Sequence, residues 1–332
     1  MPELRKDPIV GRWVIISADR GKRPSDWQKR TEKKIGGFCA FCPGNEDKTP
    51  SEILAVRPDN STSDTPDWQI RVVPNKFPAL QIEGELARRG EGLYDLMSGI
   101  GAHEVIIETA EHTRVFPDYE ETHIEKILQI YKSRIEDLRK DFRLKYILVF
   151  KNHGVAAGAS LEHPHSQLIA TPILPKRVVE ELEGAQKHFE LKERCIFCDI
   201  IYQELAFGKR IIEQTEEFVA ITPFAARFPY EMWVLPKTHF SHYENMEPRR
   251  YYDLAAILKD VLLRLNKALD APPYNFVIHS SPIQEPSALE YHWHIEIIPK
   301  LTKIAGFEWG TGFYINPVPP EQSAVHIRNS GL

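Results

Sequence analysis

Cysteine is scarce in this chain: four residues in 332 cannot build a disulfide scaffold, which small secreted domains need in much greater density. Long apolar runs are missing too, with nothing approaching the roughly 18–20 residues of a membrane span. The first residues, MPELRKDPIV, are charged where a signal peptide would turn hydrophobic. A cytoplasmic protein without membrane contact is expected. Basic excess is also absent, since 42 Lys and Arg stand against 47 Asp and Glu for a net charge of −5. That balance argues against a broad nucleic-acid face, while leaving room for a local arginine cluster that holds one small phosphorylated ligand. What remains is a globular composition, 42% hydrophobic and 10% aromatic. A single core rarely grows beyond about 250–300 residues, so two domains or one duplicated domain are expected.

The four cysteines fall as two CxxC pairs, Cys39/Cys42 in GFCAFCPGNE and Cys195/Cys198 in RCIFCDI. A CxxC pair brings two thiolates to one tetrahedral ion, which then takes two further ligands, commonly His. Two other readings stand beside metal binding: a thioredoxin-like redox pair, which would have to open a helix after a strand, and two buried pairs with no chemistry. The order of landmarks after each pair is the same. An alternating strand ends at His112 or His239, a helical stretch follows (THIEKILQIYKSRIEDLRKD or RRYYDLAAILKDVLLRLNKAL), then a buried-looking strand (YILVFKN or YNFVIHS), then a His-x-His pair, His163/His165 or His292/His294. Glu104 and Glu231 each precede the first His by 8 residues, and His112 to His163 spans 51 residues against 53 for His239 to His292. Four anchors in the same order at near-equal spacing indicate a tandem duplication. The joint is expected near residues 175–190, giving units 1–178 and 179–332 of an α+β fold, each an antiparallel sheet packed with helices.

In HPHSQ, alternate residues of a strand share a face, so His163, His165 and Gln167 point one way while Pro164 and Ser166 point back. Pro164 cannot donate to a strand ladder, which places the segment at a sheet edge or an irregular end. Upstream, FKNHGVAAGAS is a glycine-rich loop able to offer backbone N–H groups to a phosphate. A solvent-facing polar stripe would give the same His-x-His-x-Gln pattern without chemistry, and surface charge would give the same arginines.

HPHSQ, CAFCPGNE and the N-terminal RKDPIVGRWVIISADRGKRP together resemble the galactose-1-phosphate uridylyltransferase family, the transferase branch of the histidine-triad superfamily. The likeness runs from about residue 4 to 328. It implies two histidine-triad-like halves per chain, a homodimer with shared active sites, a role in galactose metabolism, and nucleotide-sugar and hexose 1-phosphate substrates. By position it implies His165 as nucleophile, with Cys39, Cys42, His112 and His163 as a structural zinc site. It also implies Arg20, Arg23, Asn75, Asn152, Gly158, Ser160 and Gln167 as nucleotide and phosphate contacts, and Glu308 as a hexose contact reaching the neighbouring subunit.

These side chains suit that chemistry. A neutral imidazole can attack a phosphorus and carry the nucleotidyl group as a phosphoramidate, provided an acceptor holds its Nδ1 proton, a part that the family gives to the backbone carbonyl of His163. Gln167 stands where hydrolytic relatives carry a third His, and an amide donates no titrating proton, so transfer between phosphates is favoured over hydrolysis. In the second half Cys195, Cys198, His239 and His292 can close a second zinc site. The alternative is iron on Glu181, His279, His292 and His294, as the family implies. His294 reads as a silent copy of the nucleophile or as a satisfied core histidine. Ala159 departs from the uridylyltransferases, which commonly have Cys there, and their hexose-binding Gln has no clear match around Phe313 and Tyr314; this ending, together with the second CxxC, resembles a sister branch, the ADP-glucose phosphorylases. UDP-glucose:galactose-1-phosphate uridylyl transfer is therefore expected, with ADP-glucose phosphorolysis as the alternative; a histidine-triad hydrolase and a zinc-ribbon interaction module fit less well.

Overall fold

The computed structural model describes residues 2–18, 20, 37–59 and 61–331. Fifteen strands fall in chain order: β1 (Glu3–Lys6), β2 (Trp13–Ile16), β3 (Leu54–Val56), β4 (Ile70–Pro74), β5 (Arg89–Glu91), β6 (Tyr94–Leu96), β7 (Ala102–Ile107), β8 (Tyr146–His153), β9 (His165–Thr171), β10 (Ile211–Gln214), β11 (Phe218–Ile221), β12 (Met232–Pro236), β13 (Tyr274–His279), β14 (His294–Pro299) and β15 (Tyr314–Asn316). Six α-helices accompany these strands among the described residues: α1 (Glu121–Leu138), α2 (Lys176–Lys192), α3 (Ile196–Phe207), α4 (Arg250–Leu269), α5 (Gly306–Thr311) and α6 (Pro320–Asn329).

Ten strands make one sheet in the order β10-β11-β12-β14-β13-β8-β9-β7-β4-β3, and every pairing in it is antiparallel. The order is palindromic. Reading outward from the centre, β8-β9-β7-β4-β3 is answered by β13-β14-β12-β11-β10, so the tandem repeat seen in the sequence is a repeat of five-stranded units. They join where β8 and β13 pair, with Asn152 opposite Asn275. The two copies share one continuous sheet.

One face of the sheet carries α1 and α4, which pack on each other. Each is helical for the reason its spacing suggests. Ile124, Ile127, Leu128, Tyr131, Ile135 and Leu138 line the buried side of α1, as Leu254, Leu258, Val261, Leu262 and Leu265 do in α4. Helix α4 stops at Asp270, whose left-handed φ of 58° closes the last turn, ahead of Pro272 and Pro273. Core residues from both halves merge under these helices into one cluster.

The opposite face is where the copies diverge. Over the second half, α2, α3 and the segment around Ile9 build a separate apolar layer that includes Ala185, Ile196, Phe197, Trp233 and Tyr291. Over the first half the cover among the described residues is thin, with Phe41, Trp68, Val73, Val105 and Ile107 at its centre. Close approach seals the second half: a Cβ added at Gly184 of α2 would lie 1.9 Å from the carbonyl oxygen of Ile9. Gly184→Ala is accordingly expected to cost roughly 1–3 kcal/mol through forced displacement of that segment, read as a lowered Tm; an unchanged Tm would mean that the segment is not packed there. A small sheet of β1, β2 and β15, with β15 parallel to β2, ties both chain ends together. No helix among the described residues is long and apolar enough to cross a membrane.

Candidate active site and metal centres

His165 opens β9, which lies between β8 and β7 in the sheet interior. Of the two positions that Pro164 allowed, an edge or an irregular end, the structure takes the second: the proline sits one residue before a central strand, and its carbonyl accepts the Glu108 N–H at 3.1 Å. His163 therefore precedes the strand and does not share its pleat. His165 and Gln167 lie on the open face, while Ser166 points to the helices and meets the Tyr131 hydroxyl at 2.6 Å.

The His165 imidazole is 6% exposed, and its Nδ1 lies 2.8 Å from the His163 carbonyl. That carbonyl can only accept, so the Nδ1–H donates to it and the Nε2 lone pair is left for chemistry. Burial pushes the imidazole down to about 4, which keeps it neutral at physiological pH. Behind the strand, the Lys151 ammonium donates to the His165 carbonyl at 3.1 Å and to Glu108 at 2.6 Å. In front of it lies a cleft of about 150 Å³ lined by residues that include Asn152, Gly154, Ser160 and His165.

Gly154 and Gly158 turn the loop at φ of 82° and 92°, conformations that side-chain-bearing residues rarely adopt. The N–H groups of Ala157 and Ala159 bond to the Gly154 carbonyl and that of Gly158 to the Val155 carbonyl, so three of the loop's N–H groups close its own turn. Asn75 stands beside Gln167, with His103 contacting both at 3.1 and 2.9 Å. Arg20 is exposed, outside the cleft lining. Arg23 lies outside the described residues. Glu308 sits in α5 away from the cleft lining and accepts the Ala305 N–H at 3.0 Å.

Two groups of four ligand atoms converge, Cys39/Cys42/His112/His163 and Cys195/Cys198/His239/His292, and either could hold a metal ion. Zinc–sulfur and zinc–nitrogen bond lengths set the S···N edge of a tetrahedral site at about 3.5 Å. Here the edges are 3.2, 3.6 and 3.7 Å in the first group and 3.4 and 3.6 Å in the second. Every contact uses Nδ1. Outside the ring, Nε2 of His163, His239 and His292 donates to the carbonyls of Thr109, Ala288 and Pro236 at 2.7, 3.0 and 2.9 Å, which fixes the ligating tautomer. His112 faces Glu162 at 3.9 Å instead. The second pair does open a helix, since Cys195 caps α3, but that helix follows α2 rather than a strand, so the redox arrangement is not met.

The competition for His292 is resolved by direction: its Nδ1 faces Cys198. Glu181, His279 and His294 form a third convergent set, but they are occupied with each other. His279 donates to Glu181 at 3.0 Å and reaches Glu296 at 3.5 Å, while the fully buried Arg227 donates to Glu296 at 2.6 Å and to Glu231 at 2.8 Å. Burial alone would lower His279; the two carboxylates overcome it and hold it up at about 10. A folded-state value raised above the ordinary 6.5 or so stabilises fully below that pH and is lost as pH rises through about 10. The Tm is therefore expected to fall between about pH 6.5 and 10; a flat profile would show His279 uncharged. His294 is 1% exposed, stacked on His279 at 4.9 Å and closed in by Phe197 and Trp233, although its Nδ1 still finds the His292 carbonyl at 3.2 Å.

Two side chains not singled out from the sequence enter here, His103 and Asn275. Each is one polar residue on a mostly apolar strand, a pattern too common to select them, and only the register sets them beside Gln167 and Asn152.

A duplicated antiparallel α+β fold with one open, histidine-bearing cleft defines an enzyme of nucleotidyl transfer. The chain matches the family described as galactose-1-phosphate uridyl transferase, its N-terminal domain over residues 1–175 and its C-terminal domain over residues 181–315; it belongs to that family. It is 38% identical to an ADP-glucose phosphorylase of Arabidopsis thaliana, over 100% of this chain and 93% of that one. It is 32% identical to a galactose-1-phosphate uridylyltransferase of Thermotoga maritima, over 99% of each. The crystal structure of an Arabidopsis thaliana ADP-glucose phosphorylase with bound ADP-glucose superposes with a TM-score of 0.86, covering 99% of this chain and 98% of that one at 38% identity.

Proposed function

We propose that the protein moves a nucleotidyl group from a nucleotide sugar to a phosphate-bearing acceptor by double displacement on His165. The Nε2 lone pair attacks the α-phosphorus; the P–N bond forms as the bond to the bridging oxygen breaks, and the sugar 1-phosphate leaves with that electron pair. In the second step an acceptor phosphate oxygen attacks, the P–N bond breaks, and the electron pair returns to Nε2. The observation that carries this reading is the free, neutral Nε2 held at the cleft by the His163 carbonyl. Gln167 offers the leaving group an amide rather than a titrating acid, which suits a sugar phosphate that departs without a proton.

Asn152, Ser160, Gln167, Asn75, Arg20 and Arg23 are the donors we assign to the phosphates and ribose, with Gly158 giving the loop its turn. The donor set of two thiolates and two imidazoles is that of zinc, and we assign two zinc ions per chain. At the first group zinc would fix His163, whose carbonyl orients the nucleophile; no reacting atom touches it. Residues 1–178 are assigned the catalytic unit and 179–332 the unit with the second metal, with His294 a silent copy of His165. A cytoplasmic homodimer in which Glu308 contacts the hexose in the neighbouring subunit's site completes the reading.

UDP-glucose with galactose 1-phosphate as acceptor is the donor–acceptor pair supported by the family and by the Thermotoga relative. ADP-glucose with phosphate as acceptor is supported by the higher identity, 38% against 32%, with a phosphorylase across the entire chain. Incubation with each nucleotide sugar, labelled at the α-phosphate, separates them: an acid-labile, base-stable label is expected from one donor, discharged by its own acceptor. No label from either would overturn the transferase reading.

A further inference from the structure

An amide side chain turned by half a rotation swaps a donor for an acceptor, and a phosphate welcomes only the donor. We propose that His103 and Asn275 are positioning residues that hold two amides of the open face, Gln167 beside His165 on β9 and Asn152 in the cleft lining, with their NH2 groups toward the substrate phosphates. This deepens the nucleotidyl-transfer reading and rests on it.

Each lock is anchored in a backbone group whose polarity is not in question. The Ala79 N–H can only donate, and it meets His103 Nδ1 at 3.1 Å. Nδ1 must then carry a lone pair, so the neutral ring has its proton on Nε2. That Nε2–H lies 2.9 Å from Gln167 Oε1 and donates to it, leaving the Gln167 NH2 as the end not held by His103. The Asn75 nitrogen 3.1 Å from the same Nε2 makes no bond there: the Phe77 N–H takes Asn75 Oδ1 at 2.9 Å, so two donors face each other and the Asn75 hydrogens are directed elsewhere.

The second lock runs from the opposite half of the molecule. The carbonyl of Ala157 can only accept, and Asn275 Nδ2 lies 2.8 Å from it. The nitrogen end of Asn275 is therefore the end that faces the loop, and its other hydrogen goes to Asn152 Oδ1 at 2.7 Å. With its oxygen taken from the side, Asn152 keeps its NH2 beside Gly158, where a Cβ would come within 3.7 Å of it. The pairing of Asn275 with Asn152 is the register of β13 on β8. The half whose own histidine is sealed under Phe197 and Trp233 thus still serves the reaction, by orienting one donor.

Preorganised donors matter because they need not turn when charge moves during transfer. His103→Phe and Asn275→Leu are each expected to lower the rate of covalent labelling about 10- to 100-fold, chiefly in kcat rather than KM, with His103→Gln restoring it to within about 3-fold because its amide nitrogen can stand in for Nε2–H. A role that acts only through the amides also predicts non-additivity: Asn275→Leu should change nothing further in an Asn152→Ala background, nor His103→Phe in Gln167→Ala. Wild-type rates in the Phe and Leu variants, full additivity in either pair, or a Gln variant as slow as Phe would overturn the proposal. Wild-type protein labelled in parallel keeps the two readings apart, since absence of its label refutes the transferase reading itself, while a labelled wild type with unaffected variants refutes only the locks.

Discussion

His165→Ala is expected to abolish covalent labelling by either nucleotide sugar and to slow nucleotidyl transfer by on the order of 10⁴-fold or more, because it removes the carbonyl-held imidazole whose Nε2 is to carry the nucleotidyl group between the two displacements. Stability should change little. The ring gives up one hydrogen bond to the His163 carbonyl, about 1 kcal/mol, and it lines the cleft rather than the main core. The paired control is His294→Ala. Its imidazole makes the corresponding bond to the His292 carbonyl, but it lies beneath Phe197 and Trp233, so labelling should persist at full stoichiometry. Measured by acid-labile label per chain, a labelled His165→Ala protein would move the nucleophile elsewhere, and an unlabelled His294→Ala protein would bring the second half into the chemistry.

The second large effect concerns the metal groups, which should differ in what their loss removes. Cys198→Ala takes one ligand from a site whose imidazoles are held by the Ala288 and Pro236 carbonyls, between α3 and the β12 end of the sheet. Loss of roughly 3–5 kcal/mol is expected, a Tm lower by about 5–15 °C, with metal content falling from about two to about one per chain. Hydrogen bonds from Cys195 and then from His239 and His292 pull the Cys198 thiol down while the same pairing pushes Cys195 up, so the pair by itself favours a single thiolate. Cys39→Ala should also lose one metal, but here the cost appears in rate, about 10- to 100-fold, because His163 both ligates and carries the carbonyl that orients His165. Elemental analysis with a labelling time course reads both. Equal effects of the two substitutions on rate would break the link between the first metal and the nucleophile, and iron in place of the second zinc would overturn the assignment to the Cys pair.

Much of this arrangement was legible before any coordinates. The repeated order of CxxC, His, helix, strand and His-x-His indicated the duplication, and the structure returns it as a palindromic sheet. The spacing of apolar residues in α1 and α4 sufficed because a helix face is a local property of the chain. The limits of that reading are equally physical. Pro164 left an edge strand and an irregular strand end equally open, and only the pairing of β7 and β8 on either side of β9 settles the matter. The glycine-rich loop read as a backbone cradle, and three of its N–H groups prove to close its own turn, since which N–H groups a loop spends internally depends on its dihedral angles. Glu181, His279, His292 and His294 looked like rivals of the cysteines; the direction of one imidazole separates them.

The sequence by itself determined the residue types that can react or bind metal, the fact of duplication and the fold class, because these follow from periodicity, spacing and side-chain chemistry. Tertiary structure alone decided which copy is open. Both halves carry a His-x-His with the same carbonyl-held imidazole, and what distinguishes them is that α2, α3 and the Ile9 segment cover one and leave the other exposed to a cleft. It also decided the company of Gln167 and Asn152, since His103 and Asn275 reach them across strands from positions 64 and 123 residues away, and pairing between distant strands is set by the packing of the whole sheet.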